Sequence, residues 1–213
     1  MMAPRNSRYD RDNVADAALT LLDRLGLPDL SMRRLAAELD VQPSALYWHF
    51  ANKQELLGAV ADRIVARIPR ATQTEGTLEA RLLHCARAIR DALLAYRDGA
   101  ELVISTAALQ TGATAPQILL EEVLTEHISD SNERTHAAAA ILQFVLGHTT
   151  LVQQRMHAES YGVNVEAAPD LLADSHVTFD TAIKMFAAGV AATETSVSSA
   201  ARLAESHPGG IPE

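Results

Sequence analysis

The sequence predicts an all-α protein, with three short helices at its N-terminal end leading into a helical-bundle body. Three observations carry that prediction. Glycine and proline are scarce, at 10 and 8 of 213 residues, while alanine and leucine abound. Runs of Val, Ile and Thr with period-two alternation, the mark of half-buried strands, are absent. Segment after segment instead repeats its apolar residues at helical spacing, opening on a capping residue and closing at Gly or Pro.

Asp10 caps a first helix through Leu25, whose apolar positions are Val14, Ala17, Ala18, Leu21, Leu22 and Leu25; Gly26 ends it. Ser31 caps a second, Met32 to Leu39, with Leu35, Ala36 and Leu39 facing inward. After a turn at Asp40-Val41-Gln42, Pro43 suits the first turn of a third helix running to His49. Asn52 caps a fourth through Leu56, Leu57, Val60, Ile64 and Val65, and Pro69 stops it. The polar stretch Thr72–Gly76 reads as a domain boundary. Further helices are expected over 77–96, 100–110, 116–128 and 132–158, then a less regular segment near 160–175 and a last helix over 178–199. The division that follows is a head at 1–68, with 52–68 as connector, and a body at 69–205. The tail at 206–213, SHPGGIPE, has the composition of disorder.

Net charge is −9, yet it is unevenly spread. Residues 1–70 hold ten Arg/Lys against nine Asp/Glu, net +1, which leaves the remainder at eight against eighteen, net −10. A near-neutral head with locally placed arginines can face phosphates while an acidic body stays away from them. The N-terminus has no apolar leader core, and no run of 18 apolar residues occurs, so neither export nor a membrane span is expected. One cysteine, Cys85, cannot close an internal disulfide, which points to a reducing, cytoplasmic setting.

Three short helices with a tight turn between the second and third form a helix-turn-helix, the unit that lays a helix in the major groove of DNA. The third helix must be short and backed by the other two, with small or polar groups near its start. That surface would be Gln42, Pro43, Ser44, Ala45, Tyr47, Trp48 and His49, with Leu46 and Phe50 turned inward. Adjacent aromatics on a helix cannot both face the core, so at least one of Tyr47 and Trp48 is exposed. Arg33 and Arg34 are placed for phosphates or a guanine edge, or are a solvated pair; Lys53 suits a backbone phosphate.

The run LDRLGLPDLSMRRLAAELDVQPSALYWHFANKQELL resembles the DNA-binding signature of the Tet repressor family, densely over residues 10–68. Its LYWH form followed by NK is similar to the tetracycline-repressor subclass. The resemblance implies DNA contacts at Arg33, Gln42, Pro43, Ser44, Ala45, Tyr47, Trp48, His49 and Lys53. Where tetracycline repressors carry Gln-Pro-Thr before Leu-Tyr-Trp, this chain carries Pro43-Ser44-Ala45. Loss of that glutamine removes a bidentate adenine reader and implies a different operator.

In the body, ALLAYRDGA (92–100) and QFVLGHTTLVQQ (143–154) resemble the tetracycline-repressor body more weakly. In that subclass a magnesium–tetracycline complex is held by a histidine and by an acidic residue at positions matching Val103 and Leu151, with a further histidine at Gln143. Val and Leu cannot ligate a hard cation, so no metal or other cofactor is expected and the effector would be another small molecule. Matching positions imply Cys85, Ile89, Val103, Thr106, Gln143, Phe144 and Gly147 as pocket lining, or as ordinary core. His148 and His157, nine apart and expected on nearly the same helix face, lack a third ligand at motif spacing. His84 and Cys85 point about 100° apart and make no thiol–imidazole dyad.

One helix-turn-helix reads too few base pairs alone, so a homodimer on a palindromic operator is expected. Its interface is assigned to the helices near 132–158 and 178–199, through a stripe of Phe179, Ala182, Ile183, Phe186, Ala187, Val190 and Ala191, unless that stripe packs within its own monomer. The fourth helix, as the sole connection, is the expected lever, with Arg97 and Asp98 carrying coupling through ion pairs. No GxSxG, HExxH or phosphate-binding loop supports an enzyme. The reading is a DNA-binding repressor released by a small molecule; the sign of regulation stays open.

Overall fold

A computed structural model describes residues 10–69, 76–160, 162 and 174–205, with side chains as far as residue 193. Among these the chain is all-helical: α1 (Arg11–Leu25), α2 (Met32–Glu38), α3 (Pro43–Tyr47), α4 (Lys53–Val65), α5 (Leu78–Leu94), α6 (Gly99–Ala108), α7 (Ala115–Leu124), α8 (Ser131–Ser160) and α9 (Ser175–Glu205). The tail 206–213 and most of the boundary near Thr72 and of the irregular stretch near 160–175 fall outside the described residues.

The caps predicted at Asp10, Ser31 and Asn52 form, and Thr77 adds another. Side chains of Asp10, Ser31, Asn52 and Thr77 accept from the amides of Asn13, Arg34, Glu55 and Ala80, each stabilising its helix by about 1 kcal/mol. At α4 the cap is doubled, because the Glu55 carboxylate reaches back to the Ala51 N–H at 2.8 Å. α3 stops two residues earlier than expected because the Leu46 carbonyl takes the amides of both His49 and Phe50, turning the chain sharply.

One continuous core joins head and body. In the head Val14, Leu22, Leu35, Leu46 and Phe50 are sealed; α4 carries the core onward through Val60 and Ile64 to Leu82, Ile89, Leu102 and Leu124. α4 packs on α1 on one side and on α5, α6 and α7 on the other. Arg63 fastens it to α1 through ion pairs with Asp12 and Asp16.

α4 is not the sole contact between the two parts, as the sequence had implied. The α1–α2 turn also touches the α5–α6 turn, where the Leu27 N–H donates to Asp98 Oδ2 at 2.7 Å and the Arg97 N–H to Asp23 Oδ1 at 3.1 Å. The α9 stripe is a second correction. Phe179, Ile183, Ala187 and Val190 are buried within their own chain, against α5 and α8, because α5 offers a matching apolar face.

The opposite faces of the two last helices are uncovered. Leu151, Met156, Val177 and Met185 are 49%, 58%, 64% and 70% exposed. Along α8, Ala140, Gln143, Gly147, Leu151 and Gln154 line up at intervals of three and four; along α9, Val177, Thr181, Met185, Ala188 and Ala192 do the same. By length and composition α8 could also cross a membrane, although no unbroken apolar run appears in the sequence; only 33% of its apolar window is buried in the chain. His148 and His157 prove to lie half a turn apart, since nine residues at 100° each make two and a half turns.

Candidate nucleic-acid interface and ligand cavity

At the head, Leu46 and Phe50 are 1% and 0% exposed, whereas Tyr47 and Trp48 are 52% and 85% exposed. Both aromatics therefore face solvent, where the spacing required only one. Gln42 and Ser44 are exposed beside them, and Pro43, Ala45 and His49 are half-buried. Together they form an outward ridge whose two aromatics are open to contact. Around this ridge stand Arg33, exposed on α2, and Lys53, half-buried at the start of α4. Arg34 is exposed too but pairs with Asp29 at 3.0 Å, so part of its charge is already spent on the protein.

The ridge is held from behind. Asp40 adopts φ +54 in the turn between α2 and α3, a left-handed conformation that Asp tolerates better than most residues. The Arg24 guanidinium grips Glu38 with two hydrogen bonds, 3.2 and 2.6 Å, tying α1 to α2; the same pairing holds the Glu38 carboxyl below its ordinary range. Arg11 lies 4.7 Å above the Phe50 ring and pairs with Glu55. None of the predicted DNA-facing residues is buried: Arg33, Arg34, Gln42, Ser44, Tyr47 and Trp48 are exposed, and Pro43, Ala45, His49 and Lys53 are half-buried.

The predicted pocket residues fall into two groups, most of them inside the body and two on its outer face. Cys85, Ile89, Val103 and Thr106 are buried core, and the Thr106 hydroxyl is spent on the carbonyls of Leu102 and Val103. Phe144 is half-buried in an aromatic cluster with His148, Phe179 and Phe186. Gln143 and Gly147 face outward on α8, and a Cβ on Gly147 would meet nothing within 4 Å. These two line the uncovered helix face rather than an interior pocket, because the turn of α8 that carries Phe144 and His148 inward carries them out.

A cavity of about 660 Å³ opens elsewhere, between the end of α4 and α7, lined chiefly by Asp62, Val65, Ile68, Thr114, Ile118 and Glu122. Its walls mix apolar side chains with two carboxylates and the Arg67 guanidinium, a profile suited to a small molecule with a few polar groups. Sequence reasoning missed it, since it is made by two helices 50 residues apart. The signal was slight: Ile118 lies off the core face of α7, and it is indeed 50% exposed.

Burial pushes the Cys85 thiol up to about 12, with the Glu122 carboxylate adding to the effect. The thiol stays protonated and inert at neutral pH. His148 Nε2 lies 3.1 Å from the Ser175 carbonyl. Among the described residues no group of three His, Cys, Asp or Glu side chains could hold a metal.

Comparison with known proteins matches both regions. Residues 14–60 match the family model of bacterial regulatory proteins, tetR family, and residues 69–200 that of the tetracyclin repressor-like C-terminal domain. The chain is 33% identical to the tetracycline repressor protein class D of Escherichia coli over 169 residues, 77% of this chain and 74% of that protein. The crystal structure of Mycobacterium smegmatis BioQ superposes with a TM-score of 0.77 at 36% identity, over 87% of this chain and 99% of that one. A crystal structure of BioQ with its double-stranded DNA operator superposes at 0.69 with 35% identity, over 87% and 99% of the two chains.

Proposed function

The chain belongs to the tetR family of bacterial regulatory proteins, and from that membership we propose that it is a homodimeric transcriptional repressor released from a palindromic operator by a small molecule. The observation that carries the reading is the exposed pair Tyr47–Trp48 on a short helix whose inner residues are sealed. A rigid rim of aromatic, small and cationic groups is what a major-groove reader needs. Residues 1–68 form the DNA-binding unit and 69–205 the sensing and dimerising unit, with α4 shared between them.

Arg33, Gln42, Pro43, Ser44, Ala45, Tyr47, Trp48, His49 and Lys53 are the DNA contacts, with Arg34 secondary because of Asp29. The uncovered faces of α8 and α9 pair with the same faces of a second copy, a two-fold four-helix contact. The cavity between α4 and α7 is the effector site. It abuts α4, so filling it bears on the helix that carries the head. The effector is not magnesium–tetracycline, since Val103 is buried apolar core and Leu151 faces outward. The protein works by binding rather than by catalysis, and it acts where chromosomal DNA lies, in the cytoplasm.

The test is fluorescence anisotropy on the DNA upstream of the protein's own gene. Trp48→Ala and Arg33→Ala are each expected to weaken binding by about 1–3 kcal/mol, tenfold or more. Full affinity in both variants would remove the proposed contact surface.

A further inference from the structure

Asp98 sits where three parts of the chain meet: the α1–α2 turn of the head, the α5–α6 turn of the body, and α8. Its carboxylate is shared between two of them. Oδ2 accepts from the Leu27 N–H at 2.7 Å, and Oδ1 lies 3.3 Å from His157 Nδ1 on α8. Asp98 is 7% exposed and holds φ +55, a backbone that a non-glycine residue keeps only where its surroundings enforce it. Gly26 permits the approach, at φ +86; a Cβ there would stand 2.7 Å from Asp98 Oδ2.

The same turn is fixed from α8 by a second side chain. Gln153 Oε1 accepts from the Ala100 N–H at 3.0 Å, and its Nε2 donates to the Tyr96 carbonyl at 2.8 Å. One turn further along α8 comes His157. The helix that presents an uncovered face to solvent is therefore bonded, through the α5–α6 turn, to the backbone of the head.

We propose that Asp98 is a latch through which α8 sets the tilt of the head, with His157 as its positioning residue. The two partners of one buried carboxylate reinforce each other: the imidazole holds the carboxylate in the rotamer that meets Leu27. A shift of α8 that withdraws His157 leaves Asp98 free to turn off Leu27, and the head then keeps α4 and the Arg97–Asp23 bond but loses this tie. The polar side chains around the latch are Asp23 on α1, Arg97 in the turn itself and His157 on α8. Its meaning for operator release rests on the repressor reading; the latch itself does not.

Amide exchange at Leu27 in the full-length protein, followed by NMR without DNA or effector, tests the coupling. Asp98→Ala is expected to speed that exchange about tenfold or more, as loss of a hydrogen bond to a charged group should. His157→Leu, which alters only the far side of the carboxylate, is expected to speed it about three- to fivefold. The α1 amides from Val14 to Leu22 should change by less than about twofold in both. His157→Gln, which can still donate to Oδ1, should restore most of the protection. Should Asp98→Ala fail to fold, the two His157 variants decide, since that side chain is 33% exposed. Unchanged Leu27 exchange in His157→Leu overturns the latch, and so does acceleration spread evenly over α1. Operator affinity, measured separately, isolates the other reading: a working latch in a protein that ignores DNA breaks the repressor assignment and leaves the latch standing.

Discussion

The head and the α8–α9 end of the body solve the problem of an outer face in opposite ways. The head seals its apolar residues and turns out cations, small polar groups and two aromatics, a surface that water tolerates and a polyanion attracts. The far end of the body turns out Leu151, Met156, Val177 and Met185 between alanines, with Lys184 beside them. Such a face gains by meeting its own kind. On the proposed reading one end meets a different molecule and the other a copy of itself, while α4 links the head to the body through α5, α6 and α7.

The strongest way to break this contrast is to charge the apolar face. Leu151→Glu with Met185→Glu would place four carboxylates in a two-fold contact, at a cost beyond about 4 kcal/mol, or a thousandfold in dimer dissociation constant. Analytical ultracentrifugation should show monomers with helicity retained; an unaltered dimer would put the interface elsewhere. Next comes Phe50→Ala, at the sealed floor of the head, which should cost about 3–5 kcal/mol in thermal or urea unfolding. Dimerisation should survive it while DNA binding fails, and loss of both together would show that head and body unfold as one unit.

Gly58→Ala probes the joint between the regions. A Cβ there would lie 2.1 Å from the Thr111 carbonyl, so α4 must move from the α6–α7 loop at about 1–3 kcal/mol. The loop is held besides by a 2.7 Å bond from the Ala113 N–H to Asp62. Operator affinity without effector should fall more than overall stability does. If melting temperature drops and affinity holds, the joint is structural only.

The smallest effect concerns His148, between α8 and α9. Burial, aided by the nearby Arg90 and His176 charges, lowers its pKa below the ordinary value, although the Ser175 carbonyl works the other way. A histidine whose folded pKa is lowered binds its proton first in the unfolded chain. Stability is therefore full above about pH 6.5 and declines as pH falls from there toward the folded value. Calorimetry between pH 7.5 and 5.5 should show a Tm loss of about a few degrees, reduced in His148→Phe, whose ring suits Phe144 and Phe179. An equal loss in the variant would assign the pH response to other groups.

The head was legible because its signals are local. Asp10, Ser31, Pro43 and Asn52 act within one turn of themselves, and the four-residue step from Leu46 to Phe50 already required at least one of Tyr47 and Trp48 to face outward. The ligand site was not legible for the opposite reason. Gln143 and Gly147 stand on the same helix as the half-buried Phe144, and only the seating of α8 against α5, α7 and α9 decides which of them turn inward.

What the amino-acid order determined by itself is the number and type of helices, their caps, the helix-turn-helix and its outward rim, each fixed by forces that reach three or four residues. Tertiary structure alone decided that the α9 stripe serves its own chain and leaves the other face uncovered. It also decided that a cavity opens between α4 and α7, and that Asp98 reaches both Leu27 and His157. Those outcomes depend on which of several apolar or polar surfaces meet across 50 residues or more of chain, and periodicity within one helix carries no information about its neighbour.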